Sequence, residues 1–483
     1  MAPAGSIHVE SSTQRVPLGD GVPDYITRVH GRKWPAQLAQ LCSESAGKLA
    51  RGQVEVPGDW NSGDIYLCEG TLAAVEGVVG AVTEGVDTVF RAGGSGRCFV
   101  SIRPPGHHCH PCAPSGFCLI NNVHVAIQYA AQTHGLTHAV ILDFDLHHGD
   151  GSQDIAFRLA GLTDDEDAPA DGPGIGYFSL HDINSFPTEP GYASAEMIQN
   201  ASACFMAHGL CVWNVHLQHY ETPAEYDALY ATKYSVLLAK AREYLQRAKA
   251  EAAKAGKPYK AAVFLSAGFD ASEHEDAGMQ RHGVHLPTAF YAQFTSDAVD
   301  LAADLADGRV LSLVEGGYSD AALFTGVFSH LRGLHQLPYD PAWAAPDVVK
   351  ILEKGCKPTW TIPKYVQQTL AGAAVSGTVS ASSTPKGKLQ ITDANRWAFR
   401  AITAGRGLWP QQPATSTSPD SDTSTPLAGR MVLRDRRTPV PKAESPGPGV
   451  ASPSPVSTPT PRNPMDALTR DMNGLGVHDR RSP

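Results

Sequence analysis

Short apolar runs separated by longer helix-like segments constrain the fold of this chain more than any other feature of its sequence. Six such runs, rich in β-branched or aromatic residues, lie at residues 98–102, 139–144, 175–180, 211–215, 261–266 and 310–314, and the clearest helix spans about 223–255. Alternation of this kind is typical of a parallel sheet whose strands are connected by helices. The sequence therefore predicts a three-layer α/β fold, in which a mostly parallel open sheet carries helices on both faces.

Polar clusters stand at the carboxyl ends of five of these six runs. The clusters are Arg103 to His108, Asp143 to Gly151, His181 with Asp182, Ser266 to Asp270, and Glu315 to Tyr318. In open α/β sheets the ligand crevice lies outside the carboxyl ends of the strands, so clusters in this position converge. We expect one functional site at that edge of the sheet.

The segment from Asp143 to Gly151 contains three acids and two histidines within nine residues. Because side chains alternate along an extended chain, Asp143, Asp145 and His147 share one face. Burying acids beside a histidine is costly unless a cation compensates. With Asp270, the pair Asp145 and His147 would give a divalent metal two oxygens, one nitrogen and an open position, as catalytic zinc requires. The alternative is an Asp-rich loop with two surface histidines.

Acid–base candidates lie close to this cluster. His107 and His108 are adjacent, and Asp143 and Asp150 are the acids that the metal leaves unused. An acid that is hydrogen-bonded to one ring nitrogen raises the basicity of the other. Tyr318 follows two glycines and could present its hydroxyl to a developing oxyanion. The alternatives are a surface histidine pair and a tyrosine that only packs.

The composition predicts three regions along the chain. From about residue 373 onward Ser, Thr, Pro and Gly dominate, and such a segment lacks the apolar area that offsets chain entropy. We therefore expect a disordered N-terminus over residues 1–22, a globular domain over residues 23–372 and a largely disordered regulatory tail over residues 373–483. The Ser-Pro and Thr-Pro pairs of the tail and its basic run, Arg434 to Arg437, are either regulatory features or accidents of a Pro-rich composition.

Charge, cysteine content and hydropathy argue against several classes of protein. The net charge of -10 disfavours nucleic acid as a direct partner. Nine cysteines form no regular framework and no N-terminal signal segment precedes them, which predicts a reducing, intracellular compartment. No apolar run approaches the ~20 residues that a membrane span needs. We therefore expect a soluble protein without membrane contact.

Five motifs, taken together, resemble the zinc-dependent histone deacetylase family. They are Arg103 to His108, Gly116 to Asn122, Asp143 to Gly151, Ser266 to Ala271, and Glu315 to Tyr318. The first and last are similar to the class II branch, and the details most similar to fungal Hos-type members are Cys109 with His110, His181 to Glu189, and Met279 to His282. The resemblance spans about residues 64–333 and implies an arginase/deacetylase-like fold around a catalytic domain.

The resemblance also implies the roles of the catalytic side chains. His108, oriented by Asp150, is the implied general base and later acid. His107, paired with Asp143, is its implied electrostatic partner. Tyr318 is the implied donor that polarises the acetyl carbonyl.

Metal and substrate ligands follow from the same resemblance. The implied ligands of Zn²⁺ are Asp145, His147 and Asp270. A structural K⁺ would involve Asp143 and the chain around His147, Ser179 and Leu180. The implied substrate-binding residues are Phe117 and Phe186, which form an apolar slot, with Gly116 beside them and Asp64 at the rim.

The implied reaction is hydrolytic removal of acetyl groups from lysine side chains of histones or other proteins. Implied partners are acetylated histone tails or other acetyl-lysine proteins, with a homodimer or a corepressor complex as assemblies. A chromatin and transcription regulator of the nucleus, the cytoplasm or both is therefore expected. Three alternatives remain open: an acetylpolyamine amidohydrolase of the same fold, an arginase-like ureohydrolase, and a non-enzymatic acyl-lysine-binding scaffold.

Two segments depart from the family pattern, and a third allows several readings. Residues 273–278 replace the usual Gly-Asp-x-Leu-Gly sequence, which affects the lip of the pocket. An arginine for the acetate exit path has only Arg28 and Arg32 as candidates. Cys109 and Cys112 form a Cys-x-x-Cys, which is a second zinc site, a redox-responsive disulfide or a pair of ordinary loop cysteines.

Overall fold

One mostly parallel sheet forms the centre of the molecule, as the sequence predicts. The computed structural model describes residues 7–356, except 59, 61–64, 92–95, 164, 166–167, 170, 208 and 280–281. Within these residues the strands are β1 Arg97–Val100, β2 His138–Asp143, β3 Gly174–His181, β4 Cys204–Ala207, β5 Leu210–His216, β6 Ala261–Ala267 and β7 Val310–Val314. Their order is β1-β7-β6-β2-β3-β5-β4, and β4, which the sequence did not predict, pairs antiparallel with β5 while all other neighbours are parallel.

Helices connect the strands and cover the sheet. They are α1 Asp24–His30, α2 Lys33–Ala50, α3 Thr71–Phe90, α4 Asn122–His134, α5 Asp150–Leu159, α6 Ala195–Asn200, α7 Pro223–Leu229, α8 Val236–Ala255, α9 Thr288–Leu305, α10 Asp320–Leu334 and α11 Pro346–Cys356. The helix predicted over 223–255 is two helices joined by a π-helical turn, Tyr230–Tyr234. It ends, as predicted, at Gly256, whose φ of 64° suits glycine.

The two faces of the sheet belong to two hydrophobic clusters, which confirms the three-layer arrangement. In β2, Val140 and Leu142 join the cluster formed with α8 and α9, whereas Ala139 and Ile141 join the cluster formed with α3 and α4. Because β2 lies between two parallel neighbours and two helical layers, both of its faces are buried. This explains why its sequence is apolar throughout instead of alternating.

Residues ahead of the predicted domain boundary at residue 23 pack against the domain. Val16 and Leu18 are buried in a third cluster, formed with α1 and α2. The backbone N–H of Val16 donates to the carbonyl oxygen of Glu76 in α3, at 3.1 Å. The structure therefore corrects the prediction of a disordered N-terminus over the residues around Val16 and Leu18.

Two other predictions concern the C-terminal tail and membrane-spanning helices. The predicted tail over residues 373–483, with its Ser-Pro and Thr-Pro pairs and its basic run, lies outside the described residues. Within the described part of the chain, no helix is both long and apolar enough to span a membrane.

Candidate active site

A buried cluster of two aspartates and one histidine lies beyond the carboxyl ends of β2 and β6. The two strands are parallel neighbours with Asp143 opposite Ser266, so Asp145 and Asp270 follow at the same edge. Ligand atoms of Asp145, His147 and Asp270 all lie within 4.8 Å of one another. The Nδ1 atom of His147 is 2.9 Å from Oδ2 of Asp270 and 3.2 Å from Oδ1 of Asp145.

Backbone groups hold the two carboxylates in place. The N–H of Gly316 donates to Oδ2 of Asp145 at 2.7 Å, and the N–H of Leu146 donates to Oδ1 of Asp270 at 2.9 Å. A Cβ atom at Gly316 would lie 2.4 Å from Oδ2 of Asp270, and one at Gly268 would lie 2.1 Å from Oδ2 of Asp145. Glycine at both positions therefore allows the loops that follow β2, β6 and β7 to approach one another around the cluster.

The electrostatics of this cluster fit a divalent cation. Burial, followed by the neighbouring charge of Asp145, raises the pKa of Asp270 above its ordinary value. Two adjacent buried carboxylates repel each other unless a positive charge lies between them. Two oxygens and one imidazole nitrogen are also a donor set that zinc accepts. The residues present therefore fit the metal that the sequence predicts, and the described residues contain this one group of three such ligands.

The two adjacent histidines approach the same cluster, and each contacts its own aspartate. The Nδ1 atom of His107 lies 3.1 Å from Oδ2 of Asp143, and the Nδ1 atom of His108 lies 2.7 Å from Oδ1 of Asp150. Both histidines are at most 3% exposed. Since each Nδ1 faces a carboxylate that only accepts, it carries the proton, and the Nε2 atom of His108 is left free to accept another.

The electrostatic environments of the two histidines differ. Burial lowers the pKa of His108 to about 4, the charge of His107 acts in the same direction, and Asp150 opposes both. Burial alone would also lower the pKa of His107, but the carboxylates of Asp145 and Asp143 outweigh it and raise that pKa well above its ordinary value. A pKa of about 4 keeps His108 neutral at neutral pH, so its ring can act as a base.

Glu315 anchors the loop that carries His107 and His108, called the histidine loop below. Sequence reasoning missed this role. Its Oε2 atom accepts hydrogen bonds from the N–H groups of Gly106, at 2.7 Å, and His107, at 3.1 Å. Burial raises the pKa of Glu315 to about 7. The signal in the sequence was an acid at the end of an apolar strand, next to Gly316, where an unpaired carboxylate would be costly.

Tyr318 lies at the mouth of the site, 48% exposed. Its backbone N–H donates to Oε2 of the buried Glu275 at 2.7 Å, so the loop that departs from the family pattern positions this tyrosine. Partial burial of the side chain, followed by the carboxylates of Asp270 and Asp145, raises the pKa of its hydroxyl well above the ordinary value. The hydroxyl therefore stays protonated and can donate a hydrogen bond.

Aromatic residues form the rest of the mouth. Phe117 is 41% exposed in a left-handed conformation, with φ of 68°, and the ring of Phe186 packs edge-on against His108 with centroids 4.9 Å apart. A Cβ atom at Gly116 would lie 2.4 Å from the ring of His108, so glycine leaves the room that this ring occupies. Phe186 and Gly116 also line an adjoining cavity of about 400 Å³. Asp64, predicted at the rim, lies outside the described residues.

Cys109 and Cys112 do not share the properties of reactive cysteines. Cys109 is buried, Cys112 is exposed, and both are free. Burial raises the pKa of the Cys109 thiol well above its ordinary value, and partial desolvation raises the pKa of Cys112. Since the thiolate is both the nucleophile and the metal ligand, this environment favours the reading as ordinary loop cysteines.

Of the two arginines considered for an exit path, Arg28 has identified partners. Its Nε atom donates to Oε1 of Gln128 and one of its terminal nitrogens donates to Oδ1 of Asp171, both at 3.0 Å. The guanidinium is thus engaged between α4 and the segment that precedes β3. Its assignment to an exit path remains a prediction.

Fold and site together define an α/β protein with a buried carboxylate–histidine metal cluster at the carboxyl edge of its sheet. The sequence model of the histone deacetylase domain matches residues 17–334. The chain therefore belongs to the histone deacetylase family.

Individual relatives agree with this assignment. Histone deacetylase HOS3 of Saccharomyces cerevisiae is 50% identical over 368 residues, which cover 73% of this chain and 52% of the relative, so the chain spans about half the length of that protein. A histone deacetylase-like amidohydrolase of Pseudomonas aeruginosa is 28% identical over 69% of this chain and 76% of its own length. Among solved structures, the HDA15 HD domain is 21% identical over 69% of this chain and 78% of that one, with a TM-score of 0.46.

Proposed function

We propose that this protein is a zinc-dependent hydrolase that removes acetyl groups from lysine side chains of histones or other proteins. The observation that carries the proposal is the convergence of three kinds of group at one mouth. A metal-ligand cluster, a neutral buried histidine paired with Asp150, and a protonated tyrosine, Tyr318, are what amide hydrolysis at a metal site requires.

The ligand cluster and the side chains around it divide the chemistry between them. Asp145, His147 and Asp270 would hold the zinc, and the chemistry that a zinc ion supplies at such a site is Lewis-acid activation of the carbonyl and of water. His108 takes a proton from the attacking water at its Nε2 atom while Asp150 holds the proton on Nδ1. The Tyr318 hydroxyl donates to the substrate oxygen as negative charge develops there. His108 then returns a proton to the departing lysine amine.

The mouth suits an extended acyl-lysine side chain. Phe117 and Phe186 would enclose the methylene groups, and Gly116 keeps the wall beside His108 open. Asp64 would hold the substrate backbone at the rim. Since Asp143 and Ser179 are buried register partners across β2 and β3, a structural K⁺ beside them also forms part of the proposal.

An acetylpolyamine amidohydrolase is the second candidate, because the same cluster could act on a small diamine. The relative from Pseudomonas aeruginosa, whose name records an amidohydrolase, supports retaining it. An arginase-like ureohydrolase is less well supported, since a two-manganese centre needs more carboxylates than the single group found among the described residues. A non-enzymatic scaffold would be expected to lack part of the site, whereas the proposed ligands, base and tyrosine are all present at one edge of the sheet, which supports an enzyme.

The cellular role follows from the proposed substrate. Acetylated histone tails or other acetyl-lysine proteins would be the partners, in the nucleus, the cytoplasm or both, and a homodimer or a corepressor complex would be the assembly. Regulation of chromatin and transcription would be the outcome. Fractionation of cells that express the full chain, followed by measurement of acetylation on histones, tests this part of the proposal.

The deciding experiment compares turnover of an acetyl-lysine histone peptide with turnover of acetylputrescine by the purified zinc-loaded protein. We expect the peptide to be the better substrate and the metal content to be near one zinc per chain. Preference for acetylputrescine would support the second candidate, and turnover of neither substrate would overturn both.

Tyr318→Phe is the matched variant for this comparison. Loss of one oxyanion donor typically lowers kcat about 100-fold or more, so peptide turnover should fall by that order while zinc content is retained. The control is Tyr25→Phe in α1, where the ring of Tyr25 packs against that of Tyr129. This variant should retain turnover. Equal activity of the two variants would contradict the role given to Tyr318.

A further inference from the structure

His110 lies between two carboxylates just outside the proposed base. Its Nε2 atom is 3.2 Å from Oδ2 of Asp150, and its Nδ1 atom is 2.9 Å from Oδ2 of Asp154. An ionised carboxylate only accepts hydrogen bonds, so the ring satisfies both contacts only when both of its nitrogens carry protons. The geometry therefore identifies His110 as an imidazolium cation.

The imidazolium offsets the repulsion between the two acids that α5 carries. Asp150 and Asp154 stand one turn apart at the start of α5, where two like charges at this spacing repel each other. A positive ring between them replaces this repulsion with two charge-assisted hydrogen bonds. Burial alone would lower the pKa of His110, but the charge of Asp150 and its hydrogen bond, followed by Asp154, raise that pKa to about 10.

The backbone on which this ring stands is also held in place. The N–H of His110 donates to the carbonyl oxygen of Ala113 at 3.0 Å. Its own carbonyl oxygen lies 3.2 Å from Nδ1 of the buried His30, which comes from α1. Anchored on both sides, the residue directs its ring at α5, and 32% of its side chain is exposed.

The two oxygens of Asp150 are divided between the two histidines. Oδ1 faces Nδ1 of His108 at 2.7 Å, and Oδ2 faces His110 at 3.2 Å. A carboxylate that is held at both oxygens cannot rotate, so the orientation of His108 depends on the outer contact as well as on the inner one. The four side chains form a row: His108, Asp150, His110 and Asp154.

We propose that His110 is a positioning residue, which, as an imidazolium held between Asp150 and Asp154, fixes the carboxylate that orients His108. The inference rests on the proposed function, since His108 is the base of that reaction. It extends the proton-handling group from a histidine–aspartate pair to a row of four side chains that ends at the surface of α5.

The kinetic test uses the full chain loaded with zinc and an acetyl-lysine peptide. His110→Gln keeps a donor but removes the charge and one of the two contacts, and partners of this kind typically change activity about 10-fold. We expect kcat to fall by about that factor with KM within about twofold of wild type and with zinc content unchanged. His110→Lys, which restores the charge, should recover part of the loss, and Asp154→Asn should fall between wild type and His110→Gln.

The matched control is His134→Gln in α4, because His134 also contacts an aspartate, with Nε2 2.7 Å from Oδ1 of Asp87, and its side chain is 24% exposed. This variant should retain the wild-type kcat. If His110→Gln retains it as well, or if His110→Lys is no better than His110→Gln, the proposal is overturned. Failure of the wild type to cleave the peptide would instead count against the proposed function.

A second readout does not depend on activity. In protein labelled with ¹⁵N in the histidine rings, the signals lost in His110→Gln identify this ring. At about pH 8, where an ordinary histidine is neutral, both of its nitrogens should show the shifts of a protonated imidazolium. A neutral ring at this pH would overturn the proposal whatever the turnover.

Discussion

His30, far along the chain from the proposed catalytic residues, holds three backbone groups of the loops that carry them. Its Nδ1 atom lies 3.2 Å from the carbonyl oxygen of His110 and 3.1 Å from that of Pro111. Its Nε2 atom accepts the N–H of Asn121 at 2.9 Å. Only the neutral ring with its proton on Nδ1 satisfies all three, because a proton on Nε2 would face the N–H of Asn121.

This arrangement predicts how stability depends on pH. Burial lowers the pKa of His30 from 6.5 to about 4, so the unfolded chain binds this proton more readily than the folded one between these values. The stability that neutral His30 contributes is fully present above pH 6.5. As the pH falls towards 4, the free energy of unfolding decreases by about 3 kcal/mol in total. His30→Gln should therefore be less stable than wild type at neutral pH, and the difference should shrink as the pH falls through this range.

Urea denaturation of both proteins across this range measures the effect. His134→Gln provides the control for loss of a histidine, since that residue lies at the partly exposed end of α4. A stability difference between His30→Gln and wild type that stays constant with pH would contradict the account.

At the scale of elements, α5 meets the histidine loop backbone to backbone. A Cβ atom at Gly151 would lie 2.5 Å from the carbonyl carbon of His108 and 2.5 Å from that of Cys109. The N–H of Ser152 donates to the carbonyl oxygen of His107 at 2.9 Å, directly across this contact. Glycine is thus what allows the helix that carries Asp150 to approach His108.

Gly151→Ala should therefore be destabilising, although the change usually stabilises a helix. We expect a loss of about 2 kcal/mol in the free energy of unfolding from overpacking, and a loss of peptide turnover because α5 and the loop must separate. Gly77→Ala in α3 is the matched control, since a Cβ atom there has no neighbour within 4 Å. It should raise stability by up to about 1 kcal/mol and leave turnover unchanged.

Denaturant unfolding and peptide turnover of the two alanine variants test the prediction for Gly151→Ala. If Gly151→Ala matched Gly77→Ala in both measurements, the close approach of α5 to the loop would not be what requires glycine.

At the scale of the whole molecule, the segment ahead of α1 closes one side of the domain. Val16 and Leu18 are 5% and 0% exposed, and a Cβ atom at Gly80 of α3 would lie 2.1 Å from the carbonyl oxygen of Gln14. Residues 7–15 by contrast are all exposed. The packed part of the segment thus starts at Gln14 to Val16, just ahead of residue 17, where the match to the family begins.

Removal of residues 2–19 should consequently lower stability, whereas removal of residues 2–12 should not. Loss of two buried aliphatic side chains corresponds to about 3 kcal/mol or more of hydrophobic stabilisation. Thermal and denaturant unfolding of both truncated proteins measures the difference. Similar midpoints for the two would show that the contacts of Val16 and Leu18 contribute little.

The fold and the family could be read from the sequence because their signals are local. An apolar run such as 139–144 is long enough for a buried strand, and parallel strands place their carboxyl ends at one edge of the sheet. This geometry brings the predicted ligands Asp145 and Asp270 together although 124 residues separate Leu146 from its hydrogen-bond acceptor Asp270. The antiparallel strand β4 was missed because a short edge strand leaves a weak pattern.

The sequence by itself determined the α/β architecture, the family and the types of side chain available to the site. Only the tertiary structure decided how those side chains are held: Glu315 anchors Gly106 across 209 positions, Glu275 holds Tyr318 across 43, and Asp150 is shared between His108 and His110. The physical reason is the distance along the chain over which each kind of interaction acts. Periodicity acts over a few neighbours, whereas these contacts depend on how complete helices and loops dock against one another, which no local pattern records.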